Sequence, residues 1–207
     1  MALDLSPAGA AGLDTAAETR PAGLIGPNSV LQTETALIEA GGPALARAVF
    51  ARAELGALLE ERPSAMIDEQ IPRALFDALF DLLPRDQALA VAHRAGRLTG
   101  AYILAHRIPR FAQAILKLLP GRLAAPILLA AVRKHAWTFA GSGVCTTAPG
   151  RPATLEIAGN PLAMPGCVWH AGVLETLFET LVSPRAVVRH TRCGHDGAHA
   201  CRFEIAV

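Results

Sequence analysis

Apolar residues recur every three or four positions through the first two thirds of the chain, which is the period of an amphipathic helix. Pro and Gly divide this pattern into segments, since neither residue is at home in a helix interior. Asn28-Ser29 offers an N-terminal cap for the first segment, and Gly41-Gly42 ends it. The predicted helices cover residues 30–40, 43–53, 65–83, 85–106, 110–119 and 121–135.

The last third of the chain changes its pattern. Residues 137–147 alternate and contain Gly141 and Gly143, which predicts a strand with a bulge or kink. Further strands are predicted at residues 153–158, 185–191 and 200–207, with one helix at 166–182. Helices followed by strands indicate an α+β fold, with N-terminal helices packed on a small antiparallel sheet and a further helix.

Two features qualify the helical prediction. Pro72 should either kink the third helix or mark a fresh first turn. Gly96 and Gly100 lie four residues apart on one helix face, so another helix or a flat ligand can approach the backbone there. Helix packing against small residues is the favoured interpretation.

Composition narrows the class of protein. Of 207 residues, 52% are hydrophobic and 18% are charged, with a formal net charge of +1. This balance fits neither a disordered chain nor a nucleic-acid-binding protein. Residues 1–26 lack periodicity and predict a flexible leader without a secretory signal, which leaves residues 27–207 as a single domain.

The most apolar stretch, residues 118–132, is interrupted by Pro120, Arg122 and Pro126 and is too short for a transmembrane segment. We therefore expect a cytoplasmic protein whose apolar surplus is buried in a core, an interface or around a hydrophobic ligand.

Three cysteines and a histidine near the C-terminus carry the clearest chemistry: Cys167, His190, Cys193 and Cys201. The last two flank a short turn with Asp196-Gly197 at its positive-φ positions, which predicts a β-hairpin. Three thiolates and an imidazole can hold Zn²⁺ in a tetrahedron. Free buried thiols and a Cys193–Cys201 disulfide are alternatives, although a reducing cytosol favours the metal over the disulfide.

Signatures of common catalytic sites are missing from the sequence. Gly141-Ser142-Gly143 comes nearest to a dinucleotide-binding turn, but it lacks the third glycine and the following helix. A reduction would need an electron source that this chain does not evidently bind.

The segment from Gly166-Cys167 through Glu175 to Arg192-Cys193-Gly194 and Cys201-Arg202-Phe203 resembles the 4-vinyl reductase domain family. The similarity to its bacteriochlorophyll-synthesis members extends from about Gly23. In related sensory domains a structural zinc is held by a cysteine, an acidic residue and two cysteines eight apart. The resemblance thus implies a zinc site in which His190 takes the acidic position, with His195 or His199 as substitutes.

The resemblance also implies a function in bacteriochlorophyll biosynthesis. Family members bind small hydrophobic molecules between helices and sheet, and commonly form homodimers. We expect a ligand-binding domain that carries a Mg-tetrapyrrole precursor between enzymes of the pathway. A vinyl reductase acting on the C8 vinyl group, or a subunit of one, is the rival expectation, and a ligand-sensing scaffold for pathway enzymes is a third.

A tetrapyrrole needs a flat apolar slot, cations for its propionates and sometimes an axial ligand for Mg. His93, His106, His135 and His170 are candidate axial ligands, with His135 and His170 favoured by their aromatic neighbours. Basic residues of the middle helices could pair with propionates or approach an anionic membrane, although solvated charges are the simpler interpretation. The candidate slot walls are Phe76, Phe80, Tyr102, Phe111, Ile115, Trp137, Phe139 and Trp169.

Overall fold

The structure is a computed structural model that describes residues 23–207. Its helices are α1 (Asn28–Arg52), α2 (Gln70–Leu82), α3 (Arg85–His106), α4 (Arg110–Leu118), α5 (Gly121–Lys134), α6 (Trp137–Ala140) and α7 (Val168–Leu181). Its strands are β1 (Leu24–Ile25), β2 (Ile67–Asp68), β3 (Val144–Ala148), β4 (Ala153–Ala158), β5 (Val187–Arg192) and β6 (Ala200–Ala206). This is the predicted α+β arrangement.

Helix α1 contains the break that the glycine pair predicted. Gly41 and Gly42 depart from helical geometry, and Gly42 takes φ +73°, which favours glycine. Pro43 then starts the second half of the helix. The predicted cap is wrong, because the Ser29 hydroxyl donates to the Gly26 carbonyl at 2.9 Å and does not reach an amide of the first turn.

Helix α2 begins at Gln70, later than the sequence pattern predicted. The preceding residues Ile67–Asp68 form β2 and pair antiparallel with β1. Pro72 consequently lies in the first turn of α2, which was one of its two predicted positions. The pairing also removes residues 24–25 from the predicted leader, whose residues 1–22 lie outside the described part of the chain.

The prediction of one strand over residues 137–147 is wrong in its first half. Residues Trp137–Ala140 form the short helix α6, and only Val144–Ala148 form a strand. Gly141 has φ +53°, so it terminates the helix. A four-residue apolar segment fits both periods, and the hydrogen bond from Gly26 N to the Thr138 carbonyl, 2.8 Å, lies outside the segment's own sequence.

The main sheet is antiparallel throughout, with strand order β3-β4-β6-β5. Alternate residues of β4 and β6 point inward, including the fully buried Leu155, Ile157 and Phe203. Helix α7 lies between this face and α3, and α1 packs on α3 in turn. The outcome is a layered core in which α7 is buried on nearly every side.

Close packing of α3 on α7 depends on glycines in both helices. A Cβ at Gly96 would lie 2.1 Å from the Trp169 carbonyl oxygen, and one at Gly172 would lie 2.5 Å from the His93 carbonyl oxygen. The space at Gly100 is filled in the same way by Thr176. The glycine face predicted for α3 therefore receives a helix and no flat ligand.

The apolar stretch over residues 118–132 is divided between α4 and α5 by a turn at Leu119-Pro120. Within residues 23–207, no helix combines the length and the apolar character needed to cross a bilayer.

We predict that Gly96→Ala lowers the free energy of unfolding by about 2 kcal/mol or more, because the backbone of α7 must move to admit the methyl group. Chemical denaturation monitored by circular dichroism measures the change. Gly56→Ala is the matched control, since no atom lies within 4 Å of its added Cβ. Equal stability of the two variants would contradict the packing argument.

Candidate metal centre

Four side chains from the C-terminal third converge on one point. The ligand atoms of Cys167, His190, Cys193 and Cys201 all lie within 4.8 Å of one another. Cys167 Sγ is 3.1 Å from Cys201 Sγ and 3.6 Å from Cys193 Sγ. All three cysteines are buried and free, so the alternative Cys193–Cys201 disulfide is not present.

A sharp turn brings Cys167 into this group. Gly166 has φ +67° and Cys167 itself has φ +43°, a left-handed conformation that is uncommon for a residue with a side chain. The Cys167 amide donates to the Met164 carbonyl at 2.8 Å. The thiol thereby lies at the N-terminus of α7, where the helix dipole favours a thiolate.

An irregularity in β5 allows His190 and Cys193 to face the same side. Residues three apart on a regular strand point to opposite faces. The register of β5 against β6 shifts between His190 and Arg192, which adds one residue to the β5 side. Cys193 then turns inward beside His190, and Arg192 stays exposed.

The hairpin loop supports the fourth ligand. Its turn is longer than a two-residue hairpin, with Ala198 N donating to the Cys193 carbonyl at 3.0 Å. Only Gly197 of the predicted pair has positive φ, at +88°. Gly194 N donates to Cys201 Sγ at 3.3 Å, so the loop backbone hydrogen-bonds directly to a cluster sulfur.

Asn160 is a participant that the sequence analysis missed. Its Nδ2 donates to Cys201 Sγ at 3.3 Å, and its Oδ1 accepts from Leu162 N at 3.1 Å. The Gly159-Asn160-Pro161 run signals a turn in the sequence, but nothing in that signal places the amide against a sulfur.

These contacts separate the acidities of two neighbouring thiols. The hydrogen bond from Cys167, with further donation by Asn160 and Gly194, lowers the pKa of Cys201 to about 3. The same bond to Cys201, together with burial, raises the pKa of Cys167. The cluster thus holds one thiolate at neutral pH and a neighbouring thiol that gives up its proton only to a competing cation.

The chemistry of the four side chains fits zinc. His190 Nε2 is buried and lacks a hydrogen-bond partner within residues 23–207, and its ring packs on Phe203 with centroids 5.0 Å apart. A buried imidazole nitrogen without a partner is costly unless it meets a ligand. A Cys₃His set supplies all four positions of a tetrahedral structural site.

The other cysteine and histidines of this region lie outside the group. His195 and His199, the predicted substitutes for His190, are exposed. Burial raises the pKa of Cys145 to about 11, so this β3 thiol stays protonated at neutral pH.

Four of the predicted pocket residues gather in the interior next to this centre. The Trp169 ring lies 6.2 Å from Phe76 and 4.9 Å from His170, whose ring is 6.1 Å from Phe139. His170 Nε2 donates to the Phe139 carbonyl at 3.3 Å, and burial lowers the pKa of His170 to about 4. These side chains fill the space between α2, α7 and the sheet.

The remaining predicted pocket residues lie apart from this interior group. Tyr102 stacks on His106 with centroids 4.6 Å apart, and His93 Nε2 binds Glu175 at 2.7 Å. His135 and Trp137 are on the surface after α5. Phe111 and Ile115 are exposed on α4. The structure therefore does not bring the predicted walls together into one slot.

Phe80 lines a cleft of about 370 Å³ beside the four-residue cluster. The other lining residues are Asp77, Asp81, Arg85, Met164, Pro165 and His195. Met164 connects the two sites, because its carbonyl accepts from both Cys167 N and Cys193 Sγ. The cleft thus combines an apolar wall with an imidazole and a guanidinium.

Comparison with known proteins identifies relatives over most of the chain. The sequence is 43% identical over 187 residues to the "Bacteriochlorophyll synthase 23 kDa chain" of Cereibacter sphaeroides, covering 87% of this chain and 89% of the relative. The protein of the same name from Rhodobacter capsulatus is 41% identical over 184 residues, with 86% and 85% covered. Residues 156–207, which contain all four cluster residues, match the model of the 4-vinyl reductase domain.

A solved structure shares the fold at low sequence identity. The crystal structure of an H-NOX protein from S. oneidensis in the Fe(II)NO ligation state superposes with a TM-score of 0.50 and 12% identity, covering 87% of this chain and 98% of that one.

The relatives match helices and sheet alike, and the domain match falls on the strands and helix that hold the cluster. The chain therefore belongs to the family of the bacteriochlorophyll synthase 23 kDa chains, with a 4-vinyl reductase domain at its C-terminal end.

Proposed function

We propose that this protein is an accessory factor of bacteriochlorophyll biosynthesis that binds a Mg-tetrapyrrole precursor and passes it between enzymes of the pathway. The observation that carries the proposal is identity of 41–43% over most of the chain to two proteins named as chains of bacteriochlorophyll synthase. A relation of that strength over helices and sheet favours a shared pathway, beyond a shared fold.

The cluster of Cys167, His190, Cys193 and Cys201 serves as a structural zinc site in this proposal. Four protein ligands leave no open position for water or substrate, as a catalytic zinc would require. The ligands come from the start of α7 and both sides of the β5–β6 hairpin. A bound ion would therefore tie helix to sheet and add to folding stability.

The cleft beside the cluster is the proposed ligand site. Phe80, Met164 and Pro165 offer apolar surface to the face of a macrocycle, and the exposed His195 imidazole is a suitable axial ligand for Mg. Arg85 forms no ion pair within residues 23–207 and is free to meet a propionate. Asp77 and Asp81 are already paired with Arg73 and Arg52.

The size of the cleft suits a carrier. A volume of about 370 Å³ is near the lower end of small-molecule sites, so a tetrapyrrole would be partly covered. Burying several hundred Å² of apolar surface contributes on the order of 10 kcal/mol before the costs of association. Partial cover reduces this gain, and the ligand can then leave for the next enzyme.

The first prediction concerns the metal. Purified protein should contain about one zinc ion per chain by elemental analysis. Cys201→Ser should lose the metal and unfold at a lower temperature, with a loss on the order of 3 kcal/mol in stability. Chelation of the wild-type protein should lower its unfolding temperature in the same way.

Cys145→Ser is the matched control, because Cys145 is partly buried in β3 but stands outside the cluster. This variant should retain zinc and most of the stability. A metal-free wild-type protein, or a Cys201→Ser variant that is as stable as Cys145→Ser, would refute the structural zinc.

The second prediction concerns the ligand. Titration with Mg-protoporphyrin should shift its absorbance and quench its fluorescence at micromolar protein. His195→Ala combined with Phe80→Ala should weaken binding about tenfold, since an axial ligand and an apolar wall are lost. His199→Ala, an exposed histidine on the same loop, should bind as the wild type does.

A wild-type protein that causes no spectral change would refute the carrier role. Binding that is equally weakened by the His199→Ala control would refute this placement of the ligand. Conversion of a divinyl precursor to its monovinyl form on addition of NADPH or reduced ferredoxin would replace the carrier with a vinyl reductase.

A further inference from the structure

Helix α4 exposes an apolar stripe to solvent. Phe111, Ile115 and Leu118 are 72%, 55% and 85% exposed. Their spacing of four and three residues places them on one face of the helix. Leu116, on the opposite side, is buried against the rest of the protein. The most exposed face of this helix is therefore also its most apolar one.

Helix α5 repeats the arrangement after the turn at Leu119-Pro120. Leu123 and Ile127 lie one helical turn apart and are 49% and 52% exposed. The buried face of α5 consists of other residues, namely Ala124, Ala125, Leu128, Leu129 and Val132. Two consecutive helices thus present apolar side chains outward, in addition to those they pack inward.

The charge around these stripes has a single sign. The sequence holds no Asp or Glu between Asp86 and Glu156. Within residues 23–207, no basic residue of the α4–α5 region forms an ion pair, and all six are exposed. The six are Arg107, Arg110, Lys117, Arg122, Arg133 and Lys134.

The charges border the stripes and do not interrupt them. At about 100° per residue, Arg110 and Lys117 lie on the same edge of α4, roughly a quarter turn from the line of Phe111 and Leu118. Arg122 has the same relation to Leu123 on α5. Apolar residues bordered by Lys and Arg are the pattern of helices that lie in the interface of a membrane.

We propose that the α4–α5 surface, formed by these two stripes and the six basic residues, docks the protein on an anionic lipid bilayer. The apolar side chains enter the boundary between headgroups and acyl chains, and the cations meet lipid phosphates. The inference is independent of the tetrapyrrole and of the metal.

Charge favours the bilayer over a second copy of this chain. A two-fold dimer places the same patch of both subunits face to face. Six unpaired cations on each copy would then repel one another across the contact. An anionic surface is attracted by every one of these charges.

Co-sedimentation with vesicles tests the proposal. The full chain should sediment with vesicles of equal parts phosphatidylcholine and phosphatidylglycerol, and remain in solution with phosphatidylcholine alone. High salt should weaken the binding, because exposed charges are screened. Wild-type protein that ignores the anionic vesicles would overturn the proposal.

Two pairs of variants separate the apolar and the charged contributions. Phe111→Gln with Leu118→Gln, and Arg110→Gln with Lys117→Gln, should each lower vesicle affinity by about tenfold or more. The matched controls are Val187→Gln with Leu82→Gln, which are exposed apolar residues elsewhere, and Arg47→Gln with Arg189→Gln, which are exposed cations elsewhere. Both controls should bind as the wild type does.

Light scattering on the same samples distinguishes a dimer surface from a lipid surface. The oligomeric state should be unchanged by Phe111→Gln with Leu118→Gln. A shift of this variant from dimer to monomer, or equal loss of vesicle binding in the control variants, would overturn the assignment to lipid. Circular dichroism establishes that the variants fold, which is expected because the altered side chains are exposed.

Discussion

The contact between the backbones of α3 and α7 is the constraint on which the rest of the structure depends. Gly96 and Gly172 let each helix meet a carbonyl of the other, so the helices approach more closely than side chains would permit. This contact fixes the axis of α7 and therefore the position of Cys167 at its first turn. The sheet covers the other side of α7, and its hairpin delivers the remaining cluster residues to the same end. Ion pairs from Arg97 to Glu179 and from His93 to Glu175 border the contact, at 2.7 Å each.

Much of the fold follows from local sequence patterns. The limits of α3, α4, α5 and α7 and the β5–β6 hairpin agree with the predicted segments, since Pro and Gly stand at the boundaries and the apolar periods are clear. The segments that were mispredicted are those decided by distant partners. Residues 67–68 became a strand because they pair with residues 24–25, and residues 137–140 became a helix too short for its period to be read from the sequence.

The candidate site was predictable in its residue types and only partly in its geometry. Cysteine and histidine chemistry identified Cys167, His190, Cys193 and Cys201, which the fold brings within reach of one ion. The strand bulge that turns Cys193 inward and the amide of Asn160 have no clear signal in the sequence. The predicted aromatic slot shows why composition alone misleads: Trp169 and Phe76 are core residues, and a cleft on the surface, lined by Phe80 alone among those aromatics, remains for a ligand.

The placement of α7 has a consequence for biosynthesis of the protein itself. Helix α3 is complete at residue 106, but the helix that covers its glycine face begins at residue 168 and the last cluster cysteine is residue 201. A ribosome therefore releases an uncovered apolar layer well before its covering exists. The nascent chain cannot close its core until translation is almost finished, and premature termination anywhere before β6 would leave a product without a covered interior.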